Sequence, residues 1–373
     1  MEGRINMNSE IMVSILCIAY NHEPYIRNAL DGCLMQKTDF GYEIIIHDDA
    51  STDNTAEIIR EYEEKHPSII KPIYQTENQY SKGAERILAA MQQHIMGKYT
   101  AYCECDDFWI DENKLRLQVA FLESNPEYAA CSHNVIDFNC CRRKIDGFRH
   151  KNSVSDIDVI ATDNELVSLA SLVHKSDFSQ DRPEIFNCGH IGIHYWVCIN
   201  GKVRHMSRVM SLSRTLSSKG AWSSRVQENV NYRIEELFSV ILFYETVIRF
   251  LNDECVRIAE IHMRNHKHLL FYALHEKALK KDNQKLLCAD DDHFIGLNDE
   301  YKNYIMDLPL KKRFELVIRC KHKTLFSFLV YVLRSQWRNK MKLKKQWKML
   351  VSKGLIPPEW ADTKRKILLD GVK

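Results

Sequence analysis

Along the first third of the chain, apolar runs of strand length alternate with segments whose apolar residues recur every three or four positions. Met12 to Tyr20 (MVSILCIAY) predicts a buried strand. PYIRNALDGCLMQ predicts a helix, with Pro24 suited to its first turn and Ile26, Leu30 and Leu34 on one face. Tyr42 to Asp49 predicts a second strand, and NTAEIIREYEEK a helix in which Asn54 and Glu57 are spaced as a capping box. Ile69 to Gln75 predicts a third strand, near a sheet edge because Pro72 cannot donate to a ladder. Then follow a helix over GAERILAAMQQHI, a strand over YTAYCEC, a helix over ENKLRLQVAFLES and a fifth strand from Tyr128 to Phe138.

From about Asn139 to Asp163 the pattern weakens and turns polar. ELVSLASLVH predicts a short helix, Gly189 to Lys202 a helix and VRHMSRVMSLS a strand; from Glu228 onward the periodicity is helical. No internal repeat or low-complexity tract is visible.

Strands separated by helical segments predict an α/β fold: a mostly parallel, Rossmann-like sheet with helices on both faces. Such sheets bind ligands outside the carboxyl ends of their strands. Three polar clusters fall there: Ala19 to Asn21, His47 to Asp53, and Glu104 to Asp107. In the last, ECDD, three carboxylates crowd four residues. Like charges so close repel, whereas a hard divalent cation such as Mg²⁺ or Mn²⁺ takes one or two carboxylates together with substrate phosphates. The chain has neither GxGxxG nor a Walker A loop to cradle phosphates with glycine amides. Asp107 is expected at a strand end, outside the core.

Composition agrees with a folded globular protein, 45% hydrophobic and 27% charged. The longest apolar run, Leu325 to Leu333, is far short of the ~20 residues of a membrane-spanning helix. With no visible leader, a cytoplasmic location and reduced thiols are expected for the 12 cysteines, which form no CxxC pair. The histidines show no HExxH spacing, and HMRNHKH (His262 to His268) reads as a solvated helix face.

The net charge of +2 hides an asymmetry. Leu310 to Lys373 carries 18 Lys/Arg against 4 Asp/Glu, a net +14, so the rest of the chain carries −12. This tail joins an apolar block to a basic segment with Trp337 and Trp347, a pattern suited to an anionic membrane surface at the inner face. Nucleic acid is not expected, since no recognised motif precedes the basic run. The expected organisation is a domain over 1–225 and a helical, basic region over 226–373.

SILCIAYN, EIIIHDDASTDNT and GKYTAYCECDDFWIDENKLRLQVAFLESNPEY together resemble the nucleotide-binding half of glycosyltransferase family 2, almost continuously from Val13 to Asn134 and more loosely to about Ser224. The resemblance implies a GT-A fold, a nucleotide-diphosphate sugar as donor (UDP-linked by preference), inversion at the anomeric carbon, and a role in bacterial surface polysaccharide assembly on a saccharide acceptor, free or lipid-linked. It implies that Tyr20 stacks on the base, Asp49 binds the base edge, Asp106 lies near the ribose and metal, and Asp107 coordinates the metal. Asn21, Arg214 and Trp222 complete the implied substrate-binding set. The family pattern is broken in two places. Gly189-His190 stands where relatives carry Gly-Asp with the catalytic base, and SRTL puts Ser213 and Leu216 where relatives carry Tyr and His. His190 is therefore the expected base, a neutral imidazole able to accept a proton near neutral pH. The alternative is a non-catalytic nucleotide-sugar-binding partner in a polysaccharide assembly complex.

Overall fold

A computed structural model describes residues 10–83, 85–148, 157–159, 168–177, 183, 186, 189–215, 217 and 222–279. The basic tail lies outside these. The described residues fall into two compact units, one within Met1–Ser218 and Thr246–Ala259, the other within Lys219–Glu245 and Glu260–Trp347.

In the first unit, β1 (Ile11–Ala19) runs parallel to β2 (Gly41–Asp48) and to β4 (Tyr99–Tyr102), and β2 runs parallel to β3 (Ile70–Tyr74). β3 ends the strand order, where Pro72 removes no needed ladder bond. Helices cover both faces, because each strand is apolar on both sides. On one face α1 (Ile26–Leu34), α2 (Thr55–Lys65) and α4 (Lys114–Ser124) bury Leu30, Ile59, Leu115 and Val119 against Ile15, Cys17, Ile44 and Ile46. On the other, α3 (Glu85–Gln92) and α5 (Gly189–Ile199) bury Ile87, Met91, Ile193 and Val197 against Leu16 and Ile45. Each such side chain contributes roughly 1.5–3 kcal/mol relative to an exposed one.

The sheet is parallel only in parts. β6 (Tyr128–Asn139) and β10 (Lys202–Thr215) form a second parallel pair. β9 (Val173–Lys175) joins the two groups, antiparallel to both β4 and β6. β5 (Phe108–Trp109), β7 (Lys144–Phe148) and β8 (Ile157–Val159) add further antiparallel pairings. The helix expected over ELVSLASLVH is, in its described part, a single 3-10 turn at Leu169–Ser171 followed by β9. Flanking strand edges on both sides recruit Val173 to Lys175 into the sheet, and tertiary pairing overrides the local helical period.

The capping box expected at Asn54 and Glu57 does not form. Oδ1 of Asp53 takes the Thr55 N–H at 3.0 Å, the Asn54 amide donates to Glu23, and Glu57 pairs with Arg60. An ionised carboxylate is the stronger acceptor for a helix-start N–H. One glycine is sterically required: a Cβ on Gly32 of α1 would sit 2.7 Å from the Trp109 carbonyl oxygen. That close approach lets α1 press on β5.

Beyond Ser217 the described chain is helical: α6 (Trp222–Glu228), α7 (Val230–Val247) and α8 (Asp253–Leu279). Within the second unit, Ile234 and Ile241 pack with Leu270 and Ala273. His262 is not solvated but buried, and the His266 ring donates from Nδ1 to the His262 carbonyl at 2.8 Å. Both rings pack against Tyr244, and burial lowers the pKa of His266. The solvated-face reading of this stretch is thereby corrected: the helix presents these positions to α7, a neighbour that a charge-rich local pattern does not reveal. Among the described residues no helix is long and apolar enough to cross a membrane.

Candidate active site

The three polar clusters come together at one end of the parallel strands. Asn21, just past β1, adopts a left-handed backbone (φ 54°), a conformation Asn tolerates better than most residues. Its side-chain carbonyl accepts the Thr52 N–H at 2.7 Å, and its own N–H donates to Ser51 Oγ at 2.9 Å. The Asp49 N–H donates to the Ala19 carbonyl at 2.9 Å. The first two clusters are thus clipped to each other by their own polar groups. Tyr20 stands beside them, 38% exposed.

Asp49 is buried, and each of its carboxylate oxygens is engaged. Oδ1 accepts the Gln79 N–H at 2.6 Å and Oδ2 the Tyr80 N–H at 3.1 Å, which ties down the loop after β3. Asp48 and His47 are buried too. Oδ1 of Asp48 has no hydrogen-bond partner among the described residues, and burial raises its pKa. Burial likewise lowers that of His47, whose Nε2 faces the Gln75 amide nitrogen at 3.2 Å while Nδ1 has no partner.

The third cluster is laid alongside the first by the continuation of β4. The Cys103 and Cys105 N–H groups each donate to β1, to the carbonyls of Leu16 and Ile18, at 3.0 Å. The Asp107 N–H then closes a turn onto the Glu104 carbonyl at 2.8 Å. The expectation of a strand-end Asp107 outside the core is corrected here. The residue is 3% exposed, and its Oδ1 accepts the backbone N–H of Arg214 at 2.7 Å, because β10 passes directly over the turn. Asp106 is half-buried, and its Oδ2 accepts from Ser217 Oγ at 2.8 Å.

Arg214 ties this corner together. Its guanidinium donates to the Asp106 carbonyl at 2.6 Å and to Asn28 Oδ1 at 3.1 Å, and lies between the rings of Tyr25 (4.9 Å) and Phe108 (4.7 Å). Burial pulls its pKa down, while Asp107, Cys140 and Asp106 oppose that pull. The Tyr25 hydroxyl, itself pushed up by burial, donates to the Ser217 carbonyl at 2.5 Å. Burial also pushes the Cys140 thiol up to about 11. Sequence reasoning missed Tyr25, Asn28, Phe108 and Ser217. The only available signal was the i, i+3 spacing of Tyr25 and Asn28 at the start of α1.

Two expected residues are placed less fully. His190 lies exposed in the first turn of α5, with its ring edge-on to His194 at 6.2 Å between centroids. Trp222 opens α6. Among the described residues no group of three or more His, Cys, Asp or Glu side chains converges as a self-sufficient metal site.

The sequence model of the family described as glycosyl transferase family 2 matches residues 14–166. Over that segment, about two fifths of the chain, the sequence is similar to glycosyltransferase family 2. An uncharacterised protein of Mycobacterium tuberculosis is 45% identical over 124 residues, 33% of this chain and 35% of that protein. An Escherichia coli protein named UDP-Glc:alpha-D-GlcNAc-diphosphoundecaprenol beta-1,3-glucosyltransferase WfaP is 32% identical over 126 residues, 34% of this chain and 47% of that one. The matches thus span between a third and a half of these relatives' lengths. Among solved structures, Staphylococcus aureus TarS 1–349 in complex with UDP-GlcNAc superposes with a TM-score of 0.48 at 16% identity, covering 80% of this chain and 82% of that one. Mannosyltransferase PcManGT from Pyrobaculum calidifontis, in complex with GDP-Man and Mn²⁺, gives 0.46 at 15% identity over 86% and 89%. Superpositions this loose carry no functional information.

Proposed function

We propose that this protein is an inverting glycosyltransferase that moves a sugar from a nucleotide-diphosphate donor, UDP-linked by preference, to a saccharide acceptor, free or lipid-linked, in surface polysaccharide assembly. One observation carries the reading: the Tyr20–Asn21, Asp48–Asp49 and Asp106–Asp107 clusters are bonded together at a single sheet end, in a segment that matches the family. The name of the E. coli relative, with its UDP-linked donor and diphospholipid-linked acceptor, supports the donor and acceptor classes.

Tyr20 offers an exposed ring to a base, with Asn21 next to it and Asp49 the proposed partner of the base edge. Asp106 and Asp107 would hold Mn²⁺ or Mg²⁺. They fit that task as adjacent carboxylates on a turn fixed by Arg214 and Ser217. A cation bound there supplies positive charge against the departing diphosphate. Arg214 holds the turn in place, and Trp222 is kept as a proposed substrate-binding residue. His190 is the proposed base. Only two residues join α5 to β10, so the helix runs back along the sheet and its first turn lies toward the strand carboxyl ends. The tail after Pro309 would bring the enzyme to an anionic membrane surface, and vesicle flotation of full-length against truncated protein would test that.

The test of the central reading is donor binding followed by turnover. Nucleotide-sugars should raise the melting temperature in the presence of Mn²⁺, UDP-sugars most, because a ligand of the folded state stabilises it. His190→Ala should lower turnover by on the order of 10²–10⁴ with donor binding little changed. His190→Asp should keep activity and shift the acidic limb of the rate profile from near ~6.5 to lower pH. Donor binding without turnover in wild type, restored by His190→Asp, would instead identify a non-catalytic binding partner.

A further inference from the structure

The turn between β6 and β7 reads Cys140-Cys141-Arg142-Arg143 and is built rigidly onto the same corner. The Cys140 N–H donates to the Thr215 carbonyl at 3.0 Å, one residue past Arg214. The Arg142 N–H donates to Asn139 Oδ1 at 2.9 Å, the Arg143 N–H reaches the Cys140 carbonyl at 3.3 Å, and the Asn139 amide is held by Asp146 at 3.1 Å. The Cys140 thiol feels the charges of Arg214, Asp106 and Asp107, which places the turn on the rim of the candidate site.

Arg143 has φ 48°, in the left-handed region that non-glycine residues adopt only at a cost in strain. Glycine or asparagine would relieve that cost, yet the position carries an arginine. Arg142 and Arg143 are both exposed, and neither guanidinium makes a hydrogen bond or ion pair among the described residues. By contrast, Arg27, Arg60 and Arg208 are each paired with a carboxylate. Two uncommitted guanidinium groups are therefore carried at adjacent positions of a fixed turn. Guanidinium forks match phosphate oxygens in bidentate geometry, and two adjacent ones match the charge of a diphosphate. The donor's own diphosphate belongs with the carboxylates of Asp106 and Asp107, which need a cation between. A cation-free pair of arginines on the rim suits a second phosphate group.

We propose that Arg142 and Arg143 form a phosphate-binding lip that recognises an acceptor carrying its sugar on a lipid-linked phosphate or diphosphate. This rests on the glycosyltransferase reading above and adds the residues that would hold a phosphate on the acceptor. The decisive experiment compares the full chain with R142Q/R143Q, both at fixed Mn²⁺, against four probes: UDP, decyl diphosphate, decanol, and phosphatidylglycerol vesicles. Wild type should bind decyl diphosphate at least tenfold more tightly than decanol. The double variant should lose at least tenfold in decyl diphosphate affinity while binding UDP as wild type does, with an unchanged melting temperature. R142K/R143K should recover only part of the loss, since charge returns without the fork. Arg143→Gly should be as stable as wild type or more so, showing that the arginine is not there for the backbone. Equal decyl diphosphate binding by wild type and double variant overturns the proposal. So does a loss of UDP affinity in the double variant, which would assign the turn to the donor. So does a loss confined to the vesicles, which would assign it to membrane headgroups. Failure of wild type to bind UDP would instead sink the glycosyltransferase reading, and the UDP arm separates the two.

Discussion

The backbone N–H of Arg214 donates to Oδ1 of Asp107 across 107 positions of sequence, at 2.7 Å. One carboxylate therefore has two tasks: to stitch β10 onto the turn after β4, and to present negative charge at the candidate site. The tasks separate by substitution. Asp107→Asn retains an oxygen for the Arg214 N–H and should leave the melting temperature close to wild type, yet lose Mn²⁺-dependent nucleotide binding. Asp107→Ala strands a buried donor and should also cost about 1–3 kcal/mol of stability. Denaturant unfolding alongside nucleotide titration with and without Mn²⁺ reads both. An Asn variant with wild-type Mn²⁺ dependence would remove Asp107 from the metal assignment.

Arg214 is a buried cation held by two rings and two acceptors. Lysine cannot reproduce the planar sandwich or reach both acceptors. Arg214→Lys should therefore be destabilising by about 1–3 kcal/mol, the usual size for a damaged buried polar network. It should also weaken UDP binding at least severalfold by loosening the Asp106–Asp107 turn. Wild-type values for both would show that the guanidinium is packed there without positioning anything.

Asp49 behaves differently from Asp107 under the same change. Its two oxygens each accept a separate backbone N–H, from Gln79 and Tyr80. An asparagine can serve only one and would turn its amide donor on the other. Asp49→Asn should thus cost stability nearly as much as Asp49→Ala, and both should open the 77–83 loop to limited proteolysis. Protection of that loop in Asp49→Asn would contradict the bidentate arrangement.

The contrast shows what a sequence reveals here. Apolar periodicity located β1, β2, β3, the helices between them and the three polar clusters, because each is encoded within about a dozen consecutive residues. It could not reveal that Asp107 is buried, because the group covering it, Arg214, arrives from a strand far along the chain. The same holds for β9, whose three residues become a strand only between β4 and β6. His262 and His266 looked solvated because Tyr244, the ring they pack against, lies on another helix.

Lys114 supplies the last test, through pH. It is fully buried, its Nζ donating to Gln118 Oε1 at 2.9 Å and lying 4.0 Å from the centre of the Trp109 ring. Gln118 in turn donates to the carbonyls of Cys131 and Ser171 at 2.8 and 2.9 Å, so the lysine orients the side chain that anchors α4 to β6 and to the segment before β9. Burial pushes its pKa down to about 7, although Cys103, Cys33, Cys131 and Asp111 pull the other way. In the unfolded chain the same amine holds its proton to about pH 10. Between these values the unfolded state binds more protons than the folded one, so this group makes stability rise with pH across that window. Lys114→Met lacks the effect. The unfolding free energy of Lys114→Met minus that of wild type should therefore fall by up to about 1.4 kcal/mol per pH unit from pH 7 to 9. A difference that stays constant over this range would mean that the buried amine keeps its proton, held by Trp109 and Gln118 more firmly than burial opposes it.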